Sequence, residues 1–332
     1  MSSYRRGFHH GLMFHRFRSC LDEASCQGAL TPEEFERVLL YVGLENILAP
    51  NEWLSRLEEN RLGENDLCVT FDDGLRCQVE HALPVLERHG LRAFWFVYSC
   101  VFDNSGIIAK SEIYSHAAAQ LGGTTPLLRE LLRRCPSEMR AQLDSPEFAG
   151  YAQGMREVAP FYSLNDIKYR FLRDRAVDKH CFESLMDDII KERGVLAEVI
   201  VRRLWLDNLD LKVLSANDHV IGLHSYDHPY RMAELGCEAQ REQYLKNFSH
   251  IESVTNIRPV SMSHPLNSYN THLLNSLNAL GIKCGFRATV MHPAGGAVNP
   301  NHLELAREDG ATLARRSAKV IAASSARRRV DS

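Results

Sequence analysis

The chain has 332 residues, with 39 basic and 42 acidic side chains, a formal net charge of −3 and 45% hydrophobic residues. A chain of this length can bury a sizeable core without disulfides, and its composition excludes disorder as a whole-chain state. Its charges are nearly balanced and interspersed, so it lacks the basic face that would neutralise phosphates. This argues against nucleic acid as a main partner.

Strands and helices alternate along most of the chain. Thr31, Pro32 and Glu34 predict a helix start with an N-cap, a proline in the first turn and a capping box. The six apolar segments typical of buried parallel strands are 11–14, 67–71, 92–98, 219–223, 259–262 and 282–286. This order predicts a parallel sheet, wound or closed into a barrel, that binds its ligand at the carboxyl ends of the strands.

Two segments depart from this alternation. Residues from about 101 to 211 are mainly helical in pattern, which predicts a helical insertion within a single domain spanning 1–310. The insertion follows one strand of the predicted site and ends just before another. We therefore expect it to influence substrate selection. Residues 311–332 are rich in alanine, serine and arginine with little apolar periodicity, which predicts a flexible tail.

Export signals and cysteine-based sites are not visible in the sequence. No stretch approaches the roughly 18 to 20 consecutive apolar residues of a transmembrane helix, and the start lacks an apolar segment of signal-peptide length. We therefore expect a cytoplasmic protein. The nine cysteines form no C-x-x-C pair, which argues against a disulfide framework and a cysteine-based zinc site. The sequence leaves the oligomeric state open.

Two adjacent carboxylates, Asp72 and Asp73, stand where a predicted strand ends, and Gly74 follows them. Asp-Asp-Gly after a strand is by itself most often a structural turn. At the carboxyl end of a parallel strand, however, the two acids also face the ligand. One can then bind a metal ion while the other acts as a base.

Two histidines, His224 and His228, follow another predicted strand in the segment His-Ser-Tyr-Asp-His. Among 15 histidines this spacing can arise by chance. Both pairs nevertheless fall at the same end of predicted parallel strands. One carboxylate and two imidazoles form a recurrent open metal site that leaves positions for water and substrate.

These residues resemble the motifs of the NodB-like polysaccharide deacetylases, carbohydrate esterase family four. Thr-Phe-Asp-Asp-Gly at 70–74 matches the first motif of that family, and His-Ser-Tyr-Asp-His at 224–228 matches the second. The segment 261–270 is similar to the third motif, which usually reads Arg-x-Pro-Tyr-Gly. The resemblance covers about 9–310.

The resemblance implies an α/β fold, a distorted and incomplete (β/α) barrel of the NodB-homology type with a large helical insertion. It implies hydrolysis of an N-acyl group on an amino sugar. Asp73, His224 and His228 would bind a divalent metal ion, for which zinc is the expected identity, and Asp72 would be the general base.

The chain departs from the family pattern at the partner of the base. The third-motif arginine falls on Ser263, so Asp72 needs another counter-charge, and Arg307 in Arg-Glu-Asp is the candidate. The alternative for Arg-Glu-Asp is a charged surface triplet. We also expect Asp309 in this triplet and Tyr269 in the third-motif segment to be supporting residues.

The general acid is the second departure, because the usual late Leu-x-His motif is not evident. Three histidines are candidates, namely His15, His264 and His292. We favour His264 because it lies in the segment that resembles the third motif, while it could equally be a structural residue. His15, directly after the first strand, is expected to bind or support the substrate.

The sequence therefore predicts a metal-dependent hydrolase that removes an acetyl or formyl group from an amino sugar during surface-glycan or glycoconjugate biosynthesis. Its partner is an N-acylated sugar or glycoconjugate. Two alternatives are an amidohydrolase acting on a small non-sugar amide, as in the allantoinase-like branch, and a non-catalytic sugar-binding relative.

Overall fold

A computed structural model of the chain describes residues 4–20, 27–103, 109–159, 161–176, 178–291 and 295–330. Within these residues, seven parallel strands form one sheet with the order β6-β5-β4-β3-β2-β1-β7. In chain order they are β1 (His10–Phe14), β2 (Leu67–Asp72), β3 (Ala93–Val97), β4 (Val220–Leu223), β5 (Ser261–Ser263), β6 (Cys284–Phe286) and β7 (Arg307–Asp309). The first six overlap the predicted segments, whereas no strand was predicted at β7.

The sheet closes into a nearly complete barrel through the residues just before β7. Phe286 at the end of β6 pairs with Leu305. The backbone N–H of Leu305 donates to the Gly285 carbonyl, and its own carbonyl accepts from the N–H of Arg287. The fold prediction of a distorted (β/α) barrel of the NodB-homology type is confirmed.

Fourteen α-helices accompany the strands in the described part of the chain. They are α1 (Pro32–Val42), α2 (Pro50–Glu58), α3 (Leu83–Arg88), α4 (Lys110–Gln120), α5 (Thr124–Arg134), α6 (Ser137–Ala141), α7 (Pro146–Val158), α8 (Leu164–Phe171), α9 (Lys179–Glu192), α10 (Ala197–Leu204), α11 (Asn208–Ala216), α12 (Cys237–Thr255), α13 (Thr271–Ala279) and α14 (Gly310–Val330). Helix α1 begins as predicted, because the Thr31 hydroxyl accepts from the Glu34 N–H and the Glu34 carboxylate accepts from the Thr31 N–H. None of the described helices is long and apolar enough to cross a membrane.

The chain divides into two compact units. One consists of Met1–Leu21, Leu30–Ile108 and Trp205–Ser332 and contains the barrel. The other consists of Asp22–Ala29 and Ala109–Leu204 and contains α4 to α10. Its helices α7 and α8 have an apolar cluster of their own. The predicted influence of the 101–211 insertion on substrate selection stays a prediction.

The C-terminal segment forms a helix where the sequence predicts a flexible tail. Helix α14 starts directly after β7, and its residues Leu313 and Ser317 are buried. The pattern is hard to recognise because nine of the 21 residues of the helix are alanine or serine, so few bulky side chains mark its buried face.

Side chains alternate between the barrel interior and the surrounding helices, as the period of a strand requires. On β2, Cys68 belongs to an apolar cluster inside the barrel, whereas Val69 and Phe71 pack with the helices. The same alternation places Asp72 on the interior face, at the carboxyl end of β2. The barrel therefore presents this carboxylate where a parallel sheet binds its ligand.

Stability should depend on pH through His219, which lies just before β4. Its Nδ1 accepts a hydrogen bond of 3.1 Å from the Ala93 N–H, and burial lowers the pKa of its imidazole to about 4. Between about pH 6.5 and pH 4 the unfolded chain binds this proton and the folded chain does not. The free energy of unfolding should therefore fall by about 2 kcal/mol between about pH 7.5 and pH 5 from this group.

Urea unfolding of the His219→Asn variant at both pH values checks this prediction. The asparagine oxygen can replace Nδ1 as the acceptor and does not titrate. We expect the variant to lose about 2 kcal/mol less than the parent on acidification. An identical pH dependence in both proteins would show that His219 is not responsible.

Candidate metal centre and catalytic site

Three candidate ligands converge at the carboxyl ends of two strands, Asp73 after β2 and His224 and His228 after β4. One donor atom of each residue lies within 4.8 Å of the others. Nε2 of His224 is 3.5 Å and Nε2 of His228 is 3.6 Å from Oδ1 of Asp73. A carboxylate oxygen with two imidazole nitrogens fits an open site for zinc or a similar divalent ion.

The turn after β2 brings Asp73 to these histidines. Asp73 and Gly74 both have left-handed backbone conformations, with φ of 75° and 60°. Aspartate tolerates this conformation, whereas a Cβ at Gly74 would lie 2.9 Å from Cγ1 of Val97. The Asp-Asp-Gly sequence thus serves both the turn and the site, so its structural and functional interpretations are compatible.

The hydrogen bonds of His224 favour the tautomer that a metal site needs. Its Nδ1 lies 3.0 Å from the Ser263 carbonyl oxygen and 2.7 Å from the Ser263 hydroxyl. Because a carbonyl can only accept, Nδ1 carries the proton and Nε2 is left with the lone pair that binds a metal. The backbone N–H of His224 also donates to the side-chain oxygen of Asn247 on α12, at 2.9 Å.

Asp72 is clamped by Arg307, which enters the barrel interior from β7. The guanidinium donates to both carboxylate oxygens, each at 2.7 Å, and both side chains are buried. Burial alone would raise the pKa of Asp72, but the Arg307 charge and hydrogen bonds outweigh it and lower this pKa to about 2. Asp72 is therefore ionised at neutral pH, as a proton acceptor must be.

Glycine at position 11 makes room for this arginine. Gly11 lies opposite Arg307 in the β1–β7 pairing. A Cβ at Gly11 would lie 3.0 Å from Cγ of Arg307 and 3.2 Å from the Phe286 ring. The arginine can therefore cross the interior and reach Asp72 because the residue beside it has no side chain.

Ser263 connects the candidate base to a candidate metal ligand. Its hydroxyl donates to Oδ1 of Asp72 at 3.0 Å and accepts from Nδ1 of His224 at 2.7 Å. Ser263 occupies the position of the family's third-motif arginine. In this chain Arg307 supplies the positive charge beside Asp72, and the Ser263 hydroxyl adds a hydrogen bond to the same carboxylate.

Replacing Arg307 with methionine should lower the free energy of unfolding by about 3 to 5 kcal/mol, because it leaves the Asp72 carboxylate buried without its counter-charge. Urea unfolding of the single variants and of Arg307→Met/Asp72→Asn measures the coupling between them. We expect the double variant to recover a large part of the loss. Additive losses would show that the two residues do not stabilise each other.

His15 lies beside Asp72, and Asp309 lies at the start of helix α14. Nε2 of His15 is 3.7 Å from Oδ2 of Asp72, and 30% of the His15 side chain is exposed. Burial raises the pKa of Asp309, whose Oδ1 accepts from the Thr312 N–H at 2.8 Å. Asp309 therefore caps the start of helix α14.

The contacts of His264 argue against the general-acid role predicted for it. Its Nε2 lies 2.8 Å from the Leu303 carbonyl, so the Nε2 proton is committed to that oxygen. Burial lowers the pKa of its imidazole to about 4, which leaves it neutral at pH 7. Tyr269 stacks on the His264 ring at 4.2 Å and donates to Glu304, so both residues belong to a structural network. His292 lies outside the described residues.

Two buried amides that the sequence analysis does not single out also support the site. Asn247 donates to the Val97 carbonyl at 3.0 Å while it accepts from His224. Gln78 donates to the backbone carbonyls of His15 and Asp72, at 2.8 and 2.6 Å. Asn247 could have been recognised in the sequence as a polar residue at helical spacing from the apolar residues Tyr244 and Ile251 of α12. We find no comparable signal for Gln78.

Solved structures of low sequence identity share this fold over nearly the whole chain. The deacetylase PplD of Streptococcus pyogenes has a TM-score of 0.53 at 13% identity, covering 92% of this chain and 93% of its own. IcaB from Ammonifex degensii has a TM-score of 0.53 at 14% identity, covering 94% and 98%. The BpsB deacetylase domain from Bordetella bronchiseptica has a TM-score of 0.50 at 10% identity, covering 92% and 97%. The fold is therefore that of the NodB-like barrels.

The sequence itself matches the polysaccharide deacetylase family model over residues 179–285. This match contains the second and third motif segments, while the first motif at 70–74 lies outside it. No curated protein sequence matches the chain significantly. The family match confirms the resemblance to NodB-like polysaccharide deacetylases and supports a carbohydrate deacetylase.

Proposed function

We propose that this protein is a divalent-metal-dependent hydrolase that removes an N-acyl group from an amino sugar, in the biosynthesis of a surface glycan or glycoconjugate. The observation that carries the proposal is the position of an ionised carboxylate, Asp72, beside the donors of Asp73, His224 and His228. Two relatives in fold are named as deacetylases, and the PplD structure is a complex with acetate.

The metal centre would consist of Asp73, His224 and His228, with zinc as the ion that its donor set fits best. A divalent ion held there supplies a Lewis acid that polarises an amide carbonyl and lowers the pKa of a water molecule. The hydrogen bonds between Ser263 and His224 keep an imidazole nitrogen directed to the centre. Asp73 and His224 are buried and His228 is half-buried, which limits competing contacts with solvent.

Asp72 would accept the proton of the attacking water. Arg307 keeps this carboxylate ionised and fixes both of its oxygens, so that the acceptor is oriented before the substrate binds. The water oxygen forms a bond to the acyl carbon, and the carbon–nitrogen bond breaks as the tetrahedral intermediate collapses. The amine nitrogen then needs a proton to leave.

We assign that proton to His15. It is a partly exposed histidine beside Asp72, and unlike His264 its Nε2 is not committed to a backbone carbonyl in the contacts described above. His15→Ala should lower amide hydrolysis by about 10²- to 10⁴-fold and hydrolysis of an activated aryl ester much less, because that leaving group needs no proton.

His264→Ala is the matched variant for this comparison. We expect it to lower amide and ester hydrolysis to a similar extent, because its contacts are structural. If His264→Ala instead shows the selective loss on the amide and His15→Ala does not, the general acid is His264. Steady-state kinetics with both substrates distinguishes the two assignments.

Release of acid from a substrate panel tests the proposed function. The protein is stripped of metal with a chelator, reloaded with zinc, and incubated with N-acetyl and N-formyl amino sugars, nucleotide sugars, lipid-linked sugars and small non-sugar amides. We expect metal-dependent release of acetate or formate from a sugar. Turnover of only the non-sugar amides, or of no substrate in the metal-loaded state, would contradict the proposal. Cytoplasmic location stays a prediction.

A further inference from the structure

The segment directly before α11 packs against the turn that carries Asp73. The backbone N–H of Leu206 donates to the Gly74 carbonyl at 2.9 Å, and Trp205 pairs with Leu75 in a short antiparallel bridge. All of these residues belong to the unit that contains the barrel. The backbone that follows Asp73 is therefore fixed by a segment that lies far along the chain.

Arg76 fixes the same segment from a second direction. Its Nε donates to the Trp205 carbonyl at 3.2 Å, and its Nη2 donates to Oδ2 of Asp210 at 2.7 Å. The side chain of Trp205 is buried. Trp205 is therefore held by its backbone on both sides, which gives its indole a defined position.

The indole of Trp205 holds the ring of Tyr98, which follows β3. Its Nε1–H donates to the Tyr98 hydroxyl, and the two rings meet edge to face with their centroids 6.3 Å apart. An indole nitrogen can only donate, so the tyrosine oxygen is the acceptor. Because both side chains are buried, loss of this hydrogen bond would leave a polar atom away from water, which is unfavourable.

The ring of Tyr98 also packs on His228, a candidate metal ligand. The two ring centroids are 5.5 Å apart, with an angle of 62° between the ring planes. His228 has a left-handed backbone conformation with φ of 54°, which a residue other than glycine keeps only when its surroundings hold it there. Ser263 orients His224 by hydrogen bonds, whereas His228 packs on a ring that Trp205 fixes.

We propose that Trp205 is a positioning residue of the metal centre and acts on His228 through Tyr98. The inference rests on the proposed function in one respect, the assignment of His228 as a metal ligand. Loss of the indole N–H should release the Tyr98 ring, and the imidazole would then leave the orientation that the ion needs. A tryptophan that only fills the core would not need its N–H, so the two roles can be separated by experiment.

Zinc affinity of the full chain, measured by competition with a chelating dye, tests the proposal. Trp205→Phe keeps an aromatic ring but loses the N–H, and Tyr98→Phe keeps the ring against His228 but loses the hydroxyl. Each variant should bind zinc about tenfold more weakly than the parent, as is usual when a residue that orients a ligand is lost. The double variant should bind no more weakly than the single variants, because both changes remove the same hydrogen bond.

The absorption spectrum of bound cobalt(II) is the second measurement. Its visible bands depend on the geometry of the ligands, so Trp205→Phe and Tyr98→Phe should shift them in the same way. Trp53→Phe is the matched control, because Trp53 is a buried tryptophan that packs on Phe286 in the apolar cluster of the barrel. This control should have the zinc affinity and the cobalt spectrum of the parent. Urea unfolding of the metal-free proteins checks that each variant is folded.

Parental zinc affinity together with an unchanged cobalt spectrum in Trp205→Phe would overturn the proposal. So would losses that add in the double variant, since Trp205 would then not act through Tyr98. A parent protein that binds neither ion would overturn it as well, together with the proposed metal centre. Because zinc affinity is measured without substrate, failure to hydrolyse any sugar would contradict the proposed function and not this inference.

Discussion

Replacing Asp72 with asparagine should lower kcat by about 10²- to 10⁴-fold while the protein still binds a divalent ion. Asparagine has nearly the same shape but cannot accept the proton of the attacking water. The predicted ligands, Asp73, His224 and His228, are untouched by this change. Kinetics on the best substrate of the panel and metal analysis of the same preparation measure the two quantities together.

Asp218→Asn is the matched control, because Asp218 is exposed, lies before β4 and has a left-handed conformation that asparagine tolerates. It should leave both kcat and metal content unchanged. If Asp72→Asn loses its metal together with its activity, Asp72 is a ligand. If it keeps full activity, the base is elsewhere.

The His224→Ala/His228→Ala variant should lose the bound ion, and activity with it. Two of the three candidate donors are removed, and a single carboxylate holds zinc poorly. Metal analysis after dialysis gives the ion content per chain. In the parent protein the ion content should also fall as the pH drops below about 6, because imidazole must be neutral to bind a metal.

His272→Ala/His302→Ala removes two exposed histidines of the same unit and is the corresponding control. It should keep the ion at the parent level. Equal ion content in the variant at positions 224 and 228 and in this control would show that the metal, if bound, lies at another site.

The residues that could be predicted from the sequence are those whose neighbours in the chain share their function. Asp72 and Asp73 adjoin a turn glycine, and His224 and His228 are separated by three residues, so each motif can be recognised in a short segment. The segments that precede these motifs are apolar, and this apolar character also predicted the strands of the sheet. Local pattern and three-dimensional position agree at these points.

Strand β7 shows why the rest of the fold was harder to predict. Its three residues, Arg-Glu-Asp, are all charged, and short charged segments are typical of surfaces. Each charge has a partner that only the fold reveals. Arg307 meets Asp72 inside the barrel, and Glu308 meets Tyr4 and Arg6 on the outside.

The proposed general acid shows the limit of carrying over a motif by position. His264 lies in the segment that resembles the third motif, but its Nε2 donates a hydrogen bond to the Leu303 carbonyl. His15 has no motif around it and reaches Asp72 because β1 and β2 are neighbours in the sheet. Sequence spacing does not encode that adjacency.

The salt bridge between Arg307 and Asp72 joins the last strand of the barrel to the second. During synthesis on the ribosome, Asp72 emerges long before Arg307. Burying the Asp72 carboxylate away from water without its counter-charge costs free energy, so this burial is unfavourable until Arg307 is in place. Docking of β7 therefore closes the barrel and supplies the counter-charge of Asp72 in one event. A chain that stops short of this strand would therefore lack both the last strand of the barrel and the counter-charge of Asp72.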